Sequence, residues 1–200
     1  DWVHDIDAEQ QTIALKNGGS IDYDKLVLSP GIDIRWNALD GYDQAASRLM
    51  PHAWKAGAQT SLLHAQLSAM EDGGLVVMSV PTAPFRCPPG PYERASLIAH
   101  FLKTQKPKSK LIILDAKNSF SKMPLFMEAW AEHYPDHLEW RGVDDDGVVT
   151  RVNSKQNRVE TNFEIFTPAV TNVIPPQKAA SVADKAGVTD TTGWCPVNAL

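Results

Sequence analysis

The chain has 200 residues, 43 % of them hydrophobic, and a formal net charge of −5. This size and composition allow one substantial core or two small ones, and they exclude disordered and fibrous proteins. The mild negative charge, with no stripe of Lys and Arg, argues against nucleic-acid binding. The apolar runs are far shorter than a membrane span, and we predict no metal site.

The first 35 residues predict a short β unit. Residues 11–15 alternate loosely between apolar and polar, and an Asn-Gly-Gly-Ser turn follows them. Residues 25–29 predict an apolar strand that ends at Pro30 and Gly31. Because this strand is apolar on both faces, it indicates a parallel sheet covered on both sides. Its neighbouring strands must come from elsewhere in the chain or from outside it.

A strand, a loop, a helix and a second strand follow in the middle of the chain. Residues 58–71 first predict a helix with an apolar face that ends at Asp-Gly-Gly. Leu75–Val80 and residues 111–115 predict buried strands, and a helix between them begins near Pro91 and ends near Thr104. Two strands joined in this way form a βαβ unit with a right-handed crossover.

The last third predicts a helix, an antiparallel meander and a return segment. Ser121 is expected to cap a helix that ends near His133. Strands of the meander are predicted around Leu138–Arg141, residues 148–152 and residues 158–166. Residues 169–174 predict a further apolar strand, and a short helix follows. His52 is one of several histidines expected at surface or satisfied helical positions.

The loop after Leu75–Val80 lacks what a dinucleotide-binding βαβ unit requires. Such loops have the pattern Gly-x-Gly-x-x-Gly, which brings the pyrophosphate onto the helix N-terminus, and an acid ending the second strand binds the ribose. Here Asp115 supplies the acid, but the loop contains FRCPPGPYERAS (85–96), in which Gly90 is the one glycine. Its three prolines remove N–H donors. We therefore predict a nucleotide-binding topology that does not bind NAD(P).

The chain has two cysteines, Cys87 and Cys195, and each precedes a proline. Their spacing excludes a zinc ribbon and a thioredoxin-type motif, and the prolines favour exposed turns. The spacing alone leaves open free thiols, a structural disulfide and a redox pair.

FRCPPGPYERAS also carries a family resemblance, together with YDKLVLSPGI, PHAWKAGAQT, SKLIILDA, NVIPPQ and GWCPV. Taken in their order along the chain, nearly the whole length of which they span, these segments closely resemble the flavoprotein subunit of flavocytochrome c sulfide dehydrogenase. The resemblance implies an α/β fold with a Rossmann-like βαβ domain, FAD as cofactor, sulfide as substrate and a cytochrome c subunit as partner. It further implies a periplasmic protein, in agreement with a retained disulfide.

The resemblance also divides the chain into three parts. Residues 1–35 would end one portion of the FAD domain, residues 36–170 would form an NAD-like domain that binds no NAD, and residues 171–200 would return toward the FAD domain. The family's N-terminal Gly-x-Gly-x-x-Gly segment has no counterpart here. We therefore expect a central fragment that binds FAD poorly and does not turn over by itself.

The catalytic residues that the resemblance implies are Cys87, Cys195 and Glu93. The two cysteines would form a redox-active disulfide over the flavin ring. Glu93, in the first turn of the helix, would steer protons or orient sulfide. A surface acid that interacts with the helix dipole, and a purely structural disulfide, are the alternatives.

Four further residues are candidates for contact with the cofactor. Pro30 and Gly31 resemble the strand-end motif near the adenosine or pyrophosphate part of FAD, and an ordinary strand end is the alternative. Pro88 and Trp194, each next to a cysteine, are expected to border the flavin.

Three other functions remain open for the whole protein. A sulfide:quinone oxidoreductase would use similar cysteines, and an NAD(P)H-dependent flavoprotein reductase would need the phosphate donors that the loop lacks. A non-catalytic domain that docks a cytochrome would use the cysteines only as a staple.

Overall fold

The computed structural model describes residues 1–198. Its strands are β1 (Val3–Asp7), β2 (Thr12–Leu15), β3 (Ser20–Asp22), β4 (Ile32–Ile34), β5 (Leu75–Val80), β6 (Lys110–Asp115), β7 (Leu138–Arg141), β8 (Arg151–Asn153), β9 (Arg158–Glu160), β10 (Ile165–Phe166), β11 (Val170–Val173) and β12 (Gln177–Ala179). Its α-helices are α1 (Ala58–Ala69), α2 (Gly90–Gln105), α3 (Met123–His133) and α4 (Ser181–Lys185). Short 3₁₀ helices lie at Ala46–Arg48 and Val143–Asp145.

The chain forms two compact units. The central unit is Arg35–Pro176, and the terminal unit combines Asp1–Ile34 with Gln177–Leu200. In the terminal unit, β1, β2 and β3 form an antiparallel sheet, and β4 pairs with β12.

A four-stranded parallel sheet in the order β11-β5-β6-β7 organises the central unit. Val76 and Val77, adjacent on β5 and therefore on opposite faces, are both fully buried. A parallel sheet covered on both faces explains why these strands are continuous apolar runs. The predicted βαβ unit is confirmed, because α2 connects β5 to its parallel neighbour β6.

The predicted meander is correct only in part. Strands β8, β9 and β10 pair antiparallel, and Val152 and Val159 pack with Val77 in a common core. Leu138–Arg141, however, lies in the main sheet, parallel to β6. The connection from β6 to β7 contains α3, and such a helical crossover brings the chain back in the same direction. Alternation within four residues does not distinguish these two pairings.

Two other predictions about local structure are wrong. Residues 25–29 form no strand, and Val27 is 87 % exposed. An apolar run becomes a strand only where a neighbour supplies backbone partners, and after β3 the next paired strand of the terminal unit is β4. Ser121 does not cap α3, which begins at Met123 after Lys122 in a left-handed conformation (φ +63°).

The segment Pro51–Trp54 is buried although it has no helical or strand structure. Ala53 has a left-handed backbone (φ +46°), which a non-glycine residue rarely adopts. Arg94 of α2 donates hydrogen bonds to the carbonyl oxygens of His52 (3.0 Å) and Ala53. Burial lowers the pKa of Arg94 to about 10.

Neighbouring elements supply the other hydrogen bonds of this segment. Asn172 of β11 donates to the carbonyl oxygens of Pro51 (2.7 Å) and His52 (3.1 Å). Gln59 of α1 accepts the N–H of His52 at 2.8 Å. Because the backbone here forms no ladder, these side chains satisfy its buried polar groups.

His52 is buried in this segment and is not a surface or helical residue, contrary to expectation. Its Nδ1 accepts the backbone N–H of Trp54 at 2.9 Å, which requires an unprotonated Nδ1. Burial, and then the charges of Lys55 and Arg94, lower its pKa to about 4.

We expect the free energy of unfolding to fall as the pH is lowered from about 6.5 to about 4, by at most about 1.4 kcal/mol per pH unit from His52. In that window the unfolded state binds a proton that the folded state excludes. Asparagine at position 52 (His52→Asn) retains an acceptor near the position of Nδ1 but does not titrate. The free energy of unfolding of this variant should therefore fall less steeply with decreasing pH than that of the parent chain. Urea unfolding at several pH values measures both slopes. Equal slopes would contradict the assignment.

Candidate active site at the proline-rich loop

The loop between β5 and α2 uses the N–H groups at the start of α2 internally. The N–H groups of Tyr92 and Glu93 donate to the carbonyl oxygen of Pro89 at 3.0 and 3.1 Å. The N–H of Gly90 donates to the carbonyl oxygen of Cys87 at 2.9 Å. With prolines at the intervening positions, the helix N-terminus offers few donors to a phosphate.

Asp115, at the position of the ribose-binding acid, is fully buried and bonded to three side chains. Its Oδ2 accepts hydrogen bonds from the hydroxyl of Tyr92 (2.6 Å) and from Nε1 of Trp140 (3.1 Å). Its Oδ1 forms an ion pair with Lys117 at 2.5 Å. Burial, and then the hydrogen bond to Asp115, raise the pKa of Tyr92 far above its usual range. The carboxylate is therefore satisfied by the protein itself.

The structure brings three of the predicted site residues together at this loop. Cys87 is an exposed free thiol with a left-handed backbone (φ +59°). Pro88 follows it on the surface, and Glu93 is exposed in the first turn of α2. A thiol and a carboxylate thus face solvent where parallel strands of α/β proteins commonly present their ligand sites.

The other predicted residues lie together in the terminal unit. The carbonyl oxygen of Gly31 (φ +75°) accepts a hydrogen bond from the N–H of Ala180 at 3.2 Å. The carbonyl oxygen of Gly193 accepts one from the N–H of Ala179, the neighbour of Ala180, at 2.9 Å. The segment of Pro30 and Gly31 and the segment that contains Trp194 and Cys195 therefore meet at the end of β12. Trp194 is half-buried, and Cys195 is an exposed free thiol.

Both cysteines are exposed, which confirms the prediction made from their following prolines. They belong to different units, and they are not bonded to each other in this structure. The redox-active pairing stays a prediction.

A groove of about 460 Å³ lies between α1 and α2. Its apolar lining includes Leu63 and Leu67 of α1 and Ile98 and Phe101 of α2. Gly90, Glu93 and Arg94 also line it, so the groove reaches the start of α2 beside the cysteine loop. Leu97 adds an apolar side chain that is 74 % exposed.

Sequence reasoning missed Trp54, Arg94 and Asn172. They belong to one network around Pro51–Trp54, in which Arg94 also donates to Oδ1 of Asn172 at 3.0 Å. The one available signal was PHAW itself, an apolar segment with aromatic residues and no periodicity directly before a helix.

Within residues 1–198, no helix is long and apolar enough to cross a membrane. In the same residues, no group of three or more His, Cys, Asp or Glu side chains converges as a metal site would require.

The solved structures that resemble this chain share its fold at low sequence identity. The chain is 17 % identical to a structure of the covalent putidaredoxin reductase–putidaredoxin complex, with a TM-score of 0.66, covering 94 % of this chain and 43 % of that one. An FAD-dependent pyridine nucleotide-disulphide oxidoreductase from Desulfovibrio vulgaris is 17 % identical, with a TM-score of 0.54, covering 96 % of this chain and 47 % of that one. The α/β fold is therefore that of FAD- and NAD(P)-dependent oxidoreductases.

Sequence comparison gives a narrower assignment. The mitochondrial sulfide:quinone oxidoreductase of Dictyostelium discoideum is 24 % identical over 98 % of this chain, which spans 46 % of that protein. The chain thus spans about half the length of this relative. The family model for the central region of the sulfide dehydrogenase (flavocytochrome c) flavoprotein chain matches residues 60–175, more than half of the chain. The chain belongs to this family of flavoprotein oxidoreductases.

Proposed function

We propose that this chain forms part of a flavoprotein that oxidises sulfide through Cys87 and Cys195 and passes electrons by way of FAD to a cytochrome c subunit. The observation that carries the proposal is the exposed Cys87 with a left-handed backbone, in the loop that leads into α2, whose first turn contains the exposed Glu93 and offers few donors to a phosphate. A backbone conformation of this kind persists at functional sites where the surroundings hold it. Family membership and the curated relative support sulfide as the substrate.

The chemistry begins from a Cys87–Cys195 disulfide. A hydrosulfide ion attacks one sulfur, which forms a persulfide on that cysteine and releases the other cysteine as a thiolate. The persulfide then loses its proton, and Glu93 is the proposed acceptor. The thiolate and the persulfide anion together hold two electrons more than a disulfide and one zero-valent sulfur atom. FAD, when bound beside the cysteines, would supply the oxidant for these two electrons, so that the disulfide is restored and sulfur is released at the zero oxidation level.

Two features of the terminal unit are compatible with contact to FAD. Gly31 is exposed and has no Cβ, so its backbone and that of Pro30 permit close approach of an adenosine or phosphate group. Trp194 presents a half-exposed ring next to Cys195. When bound, FAD supplies the capacity to accept two electrons and to release them singly to a haem. The rest of its site would come from protein outside this chain, so the chain alone should bind FAD poorly.

A quinone is the second candidate for the electron acceptor. The specific observation in its favour is the likeness to the sulfide:quinone oxidoreductase, which covers nearly the whole chain. We favour cytochrome c because the family match is to a flavocytochrome c flavoprotein, and we propose a periplasmic location for the same reason. The test uses the purified full-length flavoprotein. The rate at which it reduces cytochrome c with sulfide, compared with the rate at which it reduces a soluble quinone, distinguishes the two acceptors.

Cys87→Ser in the full-length flavoprotein should abolish the bleaching of the flavin by sulfide, because the disulfide that sulfide attacks cannot form. Cys195→Ser should have the same effect. Stopped-flow absorbance of the flavin measures both variants, and dithionite, which reduces flavin directly, serves as the control for an intact cofactor. Bleaching at the parent rate would show that the cysteines act only as a staple.

Glu93→Gln should lower the rate of sulfide-dependent flavin reduction by about 10²-fold, the lower end of the range for general acid–base catalysis. Glu128→Gln, which alters an exposed acid of α3, is the matched control and should leave the rate unchanged. Parent-like rates in both variants would assign Glu93 to the surface.

NADH and NADPH should show no saturable binding to this chain up to about 1 mM, the range of very weak affinity. The N–H groups of Gly90, Tyr92 and Glu93 and the carboxylate of Asp115 are already engaged within the protein. Titration followed by nicotinamide fluorescence measures this. Saturable binding would instead support an NAD(P)H-dependent reductase.

A further inference from the structure

Trp54 contacts the turn of Cys87 from both sides. Before the cysteine, Nη2 of Arg86 donates a hydrogen bond to the carbonyl oxygen of Trp54 at 2.7 Å. After the cysteine, Trp54 and Cys87 both lie next to the point where a side chain on Gly90 would begin. A Cβ placed on Gly90 would lie 3.0 Å from Cη2 of Trp54 and 3.2 Å from Sγ of Cys87. The indole ring and the thiol therefore border the same small space.

The indole ring is itself held tightly. Trp54 is 6 % exposed, its ring lies edge-on to Phe85 with centroids 6.2 Å apart, and the guanidinium carbon of Arg94 lies 5.1 Å from the ring centroid. Arg94 also bonds to the carbonyl oxygen of Ala53, the residue before Trp54. One side chain of α2 thus fixes both the backbone before Trp54 and the face of its ring.

The left-handed backbone of Cys87 has to be held by its neighbours. A cysteine gains nothing intrinsic from a positive φ, so its neighbours must impose that conformation. The segment Cys87–Pro89 is flanked by Arg86 and Gly90. Arg86 is hydrogen-bonded to the backbone of Trp54, and Gly90 lies against its ring. A rigid support below the turn fixes the direction in which the sulfur points.

We propose that Trp54 is a positioning residue for Cys87 and that Arg94 keeps Trp54 in place. For its meaning in catalysis this inference rests on the proposed role of Cys87 in sulfide oxidation. The geometry of the thiol, however, can be measured without sulfide, flavin or a cytochrome.

The indole N–H makes the contact testable by a conservative change. Among the described residues, Nε1 of Trp54 is buried without a hydrogen-bond partner. Trp54→Phe therefore removes the outer ring atoms, including Cη2, without breaking a hydrogen bond of the side chain. Gly90 has an ordinary helical backbone and no positive φ, so Gly90→Ala adds a methyl group without backbone strain.

The experiment is a double-mutant cycle that reads the rate of Cys87 alkylation in the reduced chain. Gly90→Ala should slow the reaction with iodoacetamide by at least about threefold, because the added methyl group is confined between the indole and Sγ. In the double variant with Trp54→Phe, the methyl group can shift into the vacated space. We therefore expect the rate to return to within about twofold of the parent value.

Mass spectrometry of the alkylated peptides provides an internal control, because Cys195 in the terminal unit should react at the same rate in every variant. The rates should be measured from pH 6 to pH 10, an interval around the usual thiol pKa of about 8.5, so that an altered pKa is distinguished from altered access. Urea unfolding of each variant reports any general loss of stability.

Coupling between positions 54 and 90 in the Cys87 rate would support the proposal. If the two single effects simply multiply, or if Gly90→Ala leaves the Cys87 rate unchanged, Trp54 does not position the thiol. Either of these results leaves the sulfide assay of Cys87→Ser unaffected, so the failure of this inference is distinguishable from the failure of the proposed function.

Discussion

The candidate site of the central unit depends on the hydrogen bonds that the guanidinium group of Arg94 donates. This group is a half-buried cation whose hydrogen bonds run to three neutral oxygen atoms, two backbone carbonyls of Pro51–Trp54 and the amide of Asn172. Because the two carbonyl oxygens lie on a segment without regular structure, a flexible neighbour could not hold them. The planar fork of arginine joins α2, β11 and the segment in one fixed geometry, which the point charge of a lysine would not reproduce.

The segment held by Arg94 in turn supports the loop that contains Cys87. Once Pro51–Trp54 is fixed, Trp54 offers a carbonyl oxygen and a ring edge to the loop, and Arg86 and Gly90 rest on them. Cys87 is then exposed in the loop, and Glu93 is exposed in the first turn of α2. The candidate side chains are thus exposed above a buried support, an arrangement in which a rigid scaffold positions groups on loops.

The sequence was sufficient for the parts of the fold that local patterns determine. The strands Leu75–Val80 and Lys110–Asp115, their connecting helix and the exposed cysteines all have local signals. Errors arose where the outcome depends on a distant partner. Residues 25–29 have the composition of a strand but no partner, whereas Leu138–Arg141 joins the main sheet because of the helix before it. The Arg94 network connects residues far apart in sequence, so no local pattern could reveal it.

The buried carboxylate of Asp115 has a consequence for the redesign of this protein. Glycines grafted into the proline-rich loop would restore room and N–H donors for a pyrophosphate, but the acid would still be engaged by Tyr92, Trp140 and Lys117. To release it, an engineer would have to empty an aromatic cluster that includes Phe120 stacked on Tyr92 at 3.6 Å. Packing around Asp115, as well as the loop sequence, would therefore oppose the binding of a pyridine nucleotide to a redesigned loop. Such a redesign would need several simultaneous changes in the interior.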